Sequence, residues 1–138
     1  MGFHWSRRRT AVTRDMDLIR LLLLKLEAEP LDGNLWRLDL DDLGISDYTH
    51  DEIAYQMVLL IDGGLLDGQR ELSGGFVARK LTWAGHDFLD SVRDPAIWAK
   101  TKDGAKAAGG FTSDLLKALA KGLLKKQIEE WTGIKLDL

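Results

Sequence analysis

The chain has 138 residues, with 19 Lys and Arg against 22 Asp and Glu, so its formal net charge is −3. This charge excludes a protein whose whole surface binds phosphate. Hydrophobic residues make up 45% and charged residues 30% of the chain, which is the balance of an ordinary globular domain. Cysteine is absent, which excludes disulfides, thiolate zinc sites and cysteine nucleophiles.

The net charge is unevenly distributed along the chain. Residues 1–14 carry +4, residues 15–95 carry −10 and residues 96–138 carry +3. The two basic ends allow local contact with nucleic acid or other anionic partners, although the acidic centre and the total charge do not favour such contact.

A helix and a short strand are predicted at the start of the chain. Residues 15–28 begin with two aspartates, carry a broad apolar face and are followed closely by a proline, which together indicate a helix. Residues 35–40 alternate imperfectly between apolar and polar side chains, which indicates a short strand.

A second helix is predicted over residues 48–65. Thr49 and Glu52 have the spacing of a capping box, in which each side chain binds the backbone N–H of the other residue. Gly63-Gly64 can end the helix in a left-handed conformation. Residues 36–48 contain no separate helix by this reasoning, so a helix-turn-helix unit would be incomplete.

A β-hairpin and a third helix are predicted next. Residues 65–72 and 76–83 form the two strands, joined by Ser73-Gly74-Gly75, whose glycines can adopt the positive φ angles of a tight loop. Thr82 is placed to cap the helix that follows, whose inner face carries Phe88, Leu89 and Val92.

Two further helices are predicted in the C-terminal part. Asp94-Pro95 begins the first, because proline is tolerated in the first turn of a helix. Residues 105–110 are small and predict a joint. Thr112 or Ser113 then caps a final helix that runs to about Trp131.

The final helix is amphipathic. Its lysines occupy most of one half, and its other half is apolar and consists of Leu115, Leu116, Leu119, Ala120, Leu123, Leu124 and Trp131. Packing of the apolar half against the core or in a symmetric dimer is favoured over contact with an anionic membrane. A homo-oligomer through the leucine-rich helices is therefore expected.

The order of these elements resembles a winged-helix domain. The residues that carry the resemblance are Leu59-Leu60-Ile61-Asp62-Gly63-Gly64-Leu65-Leu66 before the hairpin and Leu81-Thr82-Trp83-Ala84-Gly85 after it. The resemblance implies an α+β, mainly helical fold, with residues 1–13 as a basic extension, 14–94 as the winged-helix-like core and 95–138 as a helical extension.

The chain also resembles a family of small proteins of unknown function from bacteria and their phages. Three segments carry this resemblance: Arg14-Asp15-Met16-Asp17-Leu18-Ile19-Arg20, Leu81-Thr82-Trp83-Ala84-Gly85-His86-Asp87-Phe88-Leu89-Asp90 and Ile97-Trp98-Ala99-Lys100-Thr101-Lys102. It covers the chain from about residue 14 onward. It implies a link to mobile elements and assigns no functional site.

The helix before the hairpin departs from the pattern of a DNA reader. In a DNA-binding winged helix this helix enters the major groove and offers basic or amide side chains to the bases. Here residues 49–62 contain three carboxylates and no Lys or Arg. The possible readers that remain are Thr49, His50, Tyr55 and Gln56, and Tyr55 and Gln56 are the candidates for base contact.

Candidate phosphate contacts lie outside that helix. They are Arg7, Arg8, Arg9 and Arg14 near the N-terminus and Arg70, Arg79 and Lys80 in the hairpin. A basic arm can follow phosphates or enter a minor groove. The alternatives are a solvated tail and an ordinary solvated hairpin, and both stay open.

Catalytic, metal and cofactor sites are not expected. His4, His50 and His86 lack the spacing of a zinc site, and no phosphate-binding loop or nucleophile motif occurs. The five tryptophans are interpreted mostly as core or interface anchors. The most apolar stretch, residues 16–26, has an uninterrupted apolar run of only four residues, so no transmembrane segment is expected and a cytoplasmic location is predicted.

The sequence thus favours a non-enzymatic winged-helix protein that binds double-stranded DNA, as a small regulator or as a phage or mobile-element accessory factor. The alternative is a winged helix used for protein interaction or self-association. The acidic central helix and the leucine-rich first and last helices favour that alternative.

Overall fold

The computed structural model describes residues 11–137, which form a mainly helical α+β fold. In chain order, the elements are α1 (Met16–Glu27), β1 (Trp36–Leu38), a 3-10 helix (Leu40–Leu43), α2 (His50–Asp62), β2 (Leu66–Arg70), β3 (Phe76–Leu81), α3 (Trp83–Val92), α4 (Pro95–Ala107) and α5 (Ser113–Thr132).

The predicted helix starts are confirmed. Asp15 accepts a hydrogen bond from the backbone N–H of Leu18 at 3.1 Å and caps α1. Thr49 and Glu52 form the complete capping box of α2. Thr82 caps α3, and Thr112, rather than Ser113, caps α5.

Two loop predictions were wrong. Leu40–Leu43 form a 3-10 helix, because the side chain of Asp39 caps it and Gly44 ends it at a φ of 69°. The joint predicted over residues 105–110 begins later, since α4 continues through Ala107 and the chain turns at Gly109. Alanine and lysine favour helix, and they extend α4 by one turn.

The three strands form one antiparallel sheet in the order β1-β3-β2. The register of β2 on β3 shifts between Asp67 and Gly68, where a bulge lies. Glycine is required there, because a Cβ on Gly68 would lie 2.6 Å from the carbonyl oxygen of Val77. The predicted loop glycine is also confirmed, since Gly74 has a φ of 94°.

One hydrophobic core connects α1 with all the other helices. The buried residues of α1 contact the sheet, α2 and α3, and Phe88 of α3 is fully buried. Leu116 and Ala120 of α5 belong to the same core, because α5 packs against α3 and α4. The described part of residues 95–138 therefore packs on the rest of the fold, while the domain boundary at residue 94 stays a prediction.

The start of α3 is fixed to the link between α2 and β2. The backbone N–H of Thr82 donates to the carbonyl of Leu65 at 3.0 Å, and its hydroxyl donates to the carbonyl of Gly64 at 2.5 Å. A Cβ on Gly85 would lie 2.0 Å from the carbonyl oxygen of Leu65. The Leu-Thr-x-x-Gly motif thus has a packing role: the threonine caps and anchors the helix, and the glycine allows close approach.

Arg93 joins the end of α3 to the end of α1. Its guanidinium donates to both carboxylate oxygens of Glu27, at 2.6 and 2.7 Å, and to Asp90 at 2.8 Å. The hydrogen bonds from Arg93 outweigh partial burial and hold the pKa of Glu27 below its usual value.

Asp17 joins α1 to α4. It accepts hydrogen bonds from the indole Nε1 of Trp98 at 2.8 Å and from Lys102 at 2.9 Å. Burial raises the pKa of Asp17. The hydrogen bonds from Lys102 and Trp98 and the nearby positive charges together lower it by more than burial raises it, so the pKa of Asp17 is below its usual value.

Of the tryptophans predicted to be core or interface anchors, only one of the four that the structure describes lies in the core, and an interface role for the others stays a prediction. Trp98 is buried, whereas Trp36, Trp83 and Trp131 are exposed. Trp5 lies outside the described residues.

Candidate interaction surface

The outward face of α2 is acidic. The buried face of α2 consists of Ile53, Ala54, Gln56, Met57 and Leu60. Asp51 and Asp62 are exposed at its two ends, and Glu52 and Tyr55 are half-buried between them. No lysine or arginine lies between His50 and Asp62.

Gln56 is not available for base contact, so this part of the prediction was wrong. It is 1% exposed, and its Oε1 accepts a hydrogen bond from the backbone N–H of Asp15 at 2.9 Å. Its Nε2 donates to the carbonyl of Thr13 at 2.8 Å. Both polar atoms of the amide therefore hold the segment that enters α1. No local sequence feature indicates this role, because the partners lie more than 40 residues away in the chain.

Further carboxylates precede α2. Asp41, Asp42 and Asp47 are exposed, and Oδ1 of Asp41 lies 3.6 Å from Nδ1 of His50. Burial raises the pKa of Tyr48, and the negative charges of Asp15, Asp17, Glu52 and Asp47 raise it further. Carboxylates from the start of α2 and from the start of α1 thus both act on Tyr48. We call the outward face of α2, together with Asp41, Asp42 and Asp47, the acidic face.

Two of the three predicted hairpin contacts already have partners in the fold. The guanidinium carbon of Arg70 lies 5.3 Å from the ring centre of Phe76, and the ammonium of Lys80 is 3.2 Å from Asp67. Arg79 is exposed, and within residues 11–137 its side chain takes part in no ion pair. A neighbouring cation, Arg37, is paired with Glu71 at 3.8 Å.

Arg14 lies at the link between α4 and α5. Its guanidinium donates to the carbonyl of Phe111 at 3.1 Å, beside a groove of about 530 Å³ that Lys102 and Lys106 also line. The structure therefore does not bring Arg14 to the hairpin. Arg7, Arg8 and Arg9 lie outside the described residues.

Exposed apolar side chains were missed by the sequence reasoning. Leu72 is fully exposed at the hairpin tip, and Trp83 is 84% exposed in the first turn of α3. A helical wheel could have found Trp83, since it lies about 140° from Phe88 on the inner face of the same helix. Trp36 is half-exposed at the sheet edge, where its indole Nε1 donates to Asp32 at 2.9 Å and the hydrogen bond lowers the pKa of Asp32.

Two findings concern other kinds of site. Among residues 11–137, no three His, Asp or Glu side chains are grouped as they would be to hold a metal ion. In the same part of the chain, no helix has the length and apolarity needed to cross a membrane.

Comparison with known proteins places the chain in a family. The family model described as "Hypothetical protein (DUF2513)" matches residues 13–111, which is more than half of the chain. The chain belongs to the DUF2513 family. This confirms the resemblance to a family of unknown function, and the DUF2513 match covers α1 to α4 and ends before α5.

A bacterial protein is similar in sequence to this DUF2513 chain over most of its length. An uncharacterized protein of Haemophilus influenzae is 31% identical over 122 residues, which are 83% of this chain and 98% of the relative. No solved structure matches the chain.

Proposed function

We propose that this protein is a non-enzymatic winged-helix module in the cytoplasm that recognises a basic segment of another protein through its acidic face. Element order supports the winged-helix assignment. The 3-10 helix stands before α2 where a helix-turn-helix has its first helix, and the hairpin β2-β3 pairs with β1 in a three-stranded sheet.

The observation that carries the proposal is the side-chain chemistry of α2. A helix in the major groove lies between two rows of phosphates, and it needs donors that reach base edges. The outward face of α2 presents Asp51, Glu52 and Asp62, and the buried Gln56 cannot donate outward. The same carboxylates complement a lysine- or arginine-rich segment, and Tyr55 offers an aromatic contact at the centre of the face.

A peptide titration tests this proposal. The probe is a labelled nine-residue oligolysine peptide, and the full chain is compared with Asp51→Lys/Asp62→Lys. The matched control is Asp87→Lys/Asp103→Lys, which makes the same change in net charge at exposed positions on α3 and α4. We expect the first variant to bind about tenfold more weakly and the control to bind within about twofold of the parent. Equal losses in both variants would show attraction by net charge alone and would refute a specific acidic face.

A second candidate function is contact with the DNA backbone, as a small regulator or phage accessory factor. The observation that favours it is Arg79, an exposed hairpin cation with no carboxylate partner within residues 11–137. Labelled duplex is titrated at ~50 and ~200 mM salt. The candidate requires affinity that falls with salt, and Arg79→Gln should lower the salt slope by about one. No binding at ~50 mM salt would exclude it.

A further inference from the structure

The chain enters α1 along the side of α2. The side chain of Gln56 donates to the carbonyl of Thr13 and accepts from the N–H of Asp15, so both backbone groups are fixed to the middle of α2. Ala11 and Val12, which precede them, are exposed. Toward its N-terminus, the chain therefore leaves Thr13 at the surface of the fold, beside α2.

Gln56 lies at the border between the buried and the outward sides of α2. Tyr55 lies about 100° from Gln56 around the helix axis. Asp51 and Asp62 lie about 140° and about 120° from Gln56 in the same direction. The other buried residues of α2 lie on the opposite side of Gln56. Thr13 is therefore held at the edge of the acidic face.

Most carboxylates of the acidic face have no cation beside them on the described chain. Within residues 11–137, four of them take part in no ion pair: Asp42, Asp47, Asp51 and Asp62. Asp41 has the imidazole of His50 at 3.6 Å. The acidic face thus has negative charge that no lysine or arginine of residues 11–137 neutralises.

Three consecutive arginines lie within reach of this face. Arg9 precedes Thr13 by four residues and Arg7 precedes it by six, which correspond to spans of at most about 14 and about 21 Å. Each end of α2 lies only about 9 Å from Gln56 along the helix axis. Residues 7–9, which precede the described part of the chain and which we call the arginine arm, can therefore reach the carboxylates at both ends of α2.

The other surface beside Thr13 offers the arginine arm no net attraction. Thr13 also lines the groove of about 530 Å³ between α1 and α4. The charged residues of this groove are three cations and three carboxylates: Arg14, Lys102, Lys106, Asp15, Asp17 and Asp103. These charges balance, and Asp17 already binds Lys102 at 2.9 Å. Charge complementarity therefore favours the acidic face over the groove.

We propose that the arginine arm occupies the acidic face of its own chain and competes there with a basic partner. The inference rests on the proposed function, because both ligands need the same carboxylates. A segment joined to its site by a few residues meets that site at an effective concentration on the order of millimolar. Exposed ion pairs are individually weak, so a partner that brings more cations displaces the arm. The arm thus sets the affinity that a partner must exceed.

A spin label tests the contact directly. The chain has no cysteine, so Ser6→Cys carries a nitroxide at one position beside the arginine arm. Broadening of the amide NMR signals of α2 is compared with that in the arm-neutral chain, which also carries Arg7→Gln/Arg8→Gln/Arg9→Gln and sets the baseline. We expect excess broadening at the outward residues of α2 that is lost in the arm-neutral chain and at ~1 M salt. Equal broadening with and without the arginines overturns the proposal.

Charge reversal on α2 tests which groups hold the arm. Asp51→Lys/Asp62→Lys should abolish the excess broadening, whereas Asp87→Lys/Asp103→Lys, which makes the same change in net charge on α3 and α4, should retain it. Equal losses in the two variants would show attraction by net charge alone and would refute a contact with the acidic face.

The oligolysine titration separates this inference from the proposed function. Neutralising the arm removes the competitor, so the arm-neutral chain should bind the peptide about three- to tenfold more tightly than the parent. The control Lys100→Gln/Lys106→Gln/Lys121→Gln removes three exposed cations from α4 and α5 and should stay within about twofold of the parent. Equal gains in both variants would refute the competition. If neither the parent nor the arm-neutral chain binds the peptide, the proposed function fails, and the spin label alone decides where the arm lies.

Discussion

Replacing Gly85 by alanine tests the close contact between α3 and the link between α2 and β2. The added Cβ would lie 2.0 Å from the carbonyl oxygen of Leu65, which is a backbone atom and not the end of a flexible side chain. A carbon and an oxygen atom in contact are normally about 3.4 Å apart, so the helix must shift by more than about 1 Å relative to Leu65. The hydrogen bond from the N–H of Thr82 to the same carbonyl is strained by that shift.

The expected cost is worked out from three contributions. Overpacking of this kind costs about 1–3 kcal/mol, and a lost hydrogen bond costs about 1 kcal/mol. Alanine favours a helix over glycine by about 1 kcal/mol, which offsets part of the loss. We expect Gly85→Ala to lower the free energy of unfolding by about 2 kcal/mol, and the midpoint of thermal unfolding by about 8 °C for a chain of this size.

Gly122→Ala is the matched control. Gly122 also lies in a helix, but a Cβ there meets nothing within 4 Å. Alanine should therefore raise the stability by up to about 1 kcal/mol. Urea unfolding followed by circular dichroism measures both variants. If Gly85→Ala is as stable as Gly122→Ala, the close approach of α3 to Leu65 does not constrain the fold and the reasoning is refuted.

Three further outcomes are expected. Gln56→Leu should lose about 2 kcal/mol of stability, since the partly buried polar groups of Thr13 and Asp15 lose their partner; an unchanged urea midpoint would contradict this. Trp98→Ala should lower the free energy of unfolding by about 3–5 kcal/mol, whereas Trp83→Ala should change it by less than about 0.5 kcal/mol; equal losses would show that Trp83 also packs in the core. The pKa of Glu27 is lower in the folded chain, so its contribution is complete above its unfolded pKa of about 4.3 and is lost as the pH falls through the folded pKa. The urea midpoint should therefore fall more steeply below about pH 4 in the parent than in Glu27→Gln.

Local interactions explain why helix starts could be predicted from the sequence. The cap of α2 depends on Thr49 and Glu52, which are three residues apart, and the cap of α3 depends on Thr82 and the N–H of Gly85 at the same spacing. Such contacts need only the residue types and their order. The hairpin loop followed from glycine in the same way, because Gly74 has the positive φ that the turn requires.

Contacts between distant parts of the chain explain what the sequence could not predict. Trp98 and Trp83 have the same chemistry, but the indole of Trp98 finds Asp17, 81 residues away, while Trp83 faces solvent. The 3-10 helix was missed for a different reason. It has only four residues, and its apolar side chains Leu40 and Leu43 are too few to establish a period.

The difference between local and long-range contacts also applies to the surface of α2. The order of the elements is set by local patterns, so it can resemble a winged helix whatever the helix before the hairpin carries on its surface. Gln56 is the one amide side chain of α2, and its hydrogen bonds to Thr13 and Asp15 hold the entry to α1. What α2 leaves exposed at its ends is His50 and Asp51 at the start and Asp62 at the end, and His50 lies 3.6 Å from the carboxylate of Asp41. Resemblance in element order therefore supports the architecture, while the side chains left free favour a basic protein segment over duplex DNA as the partner of this face.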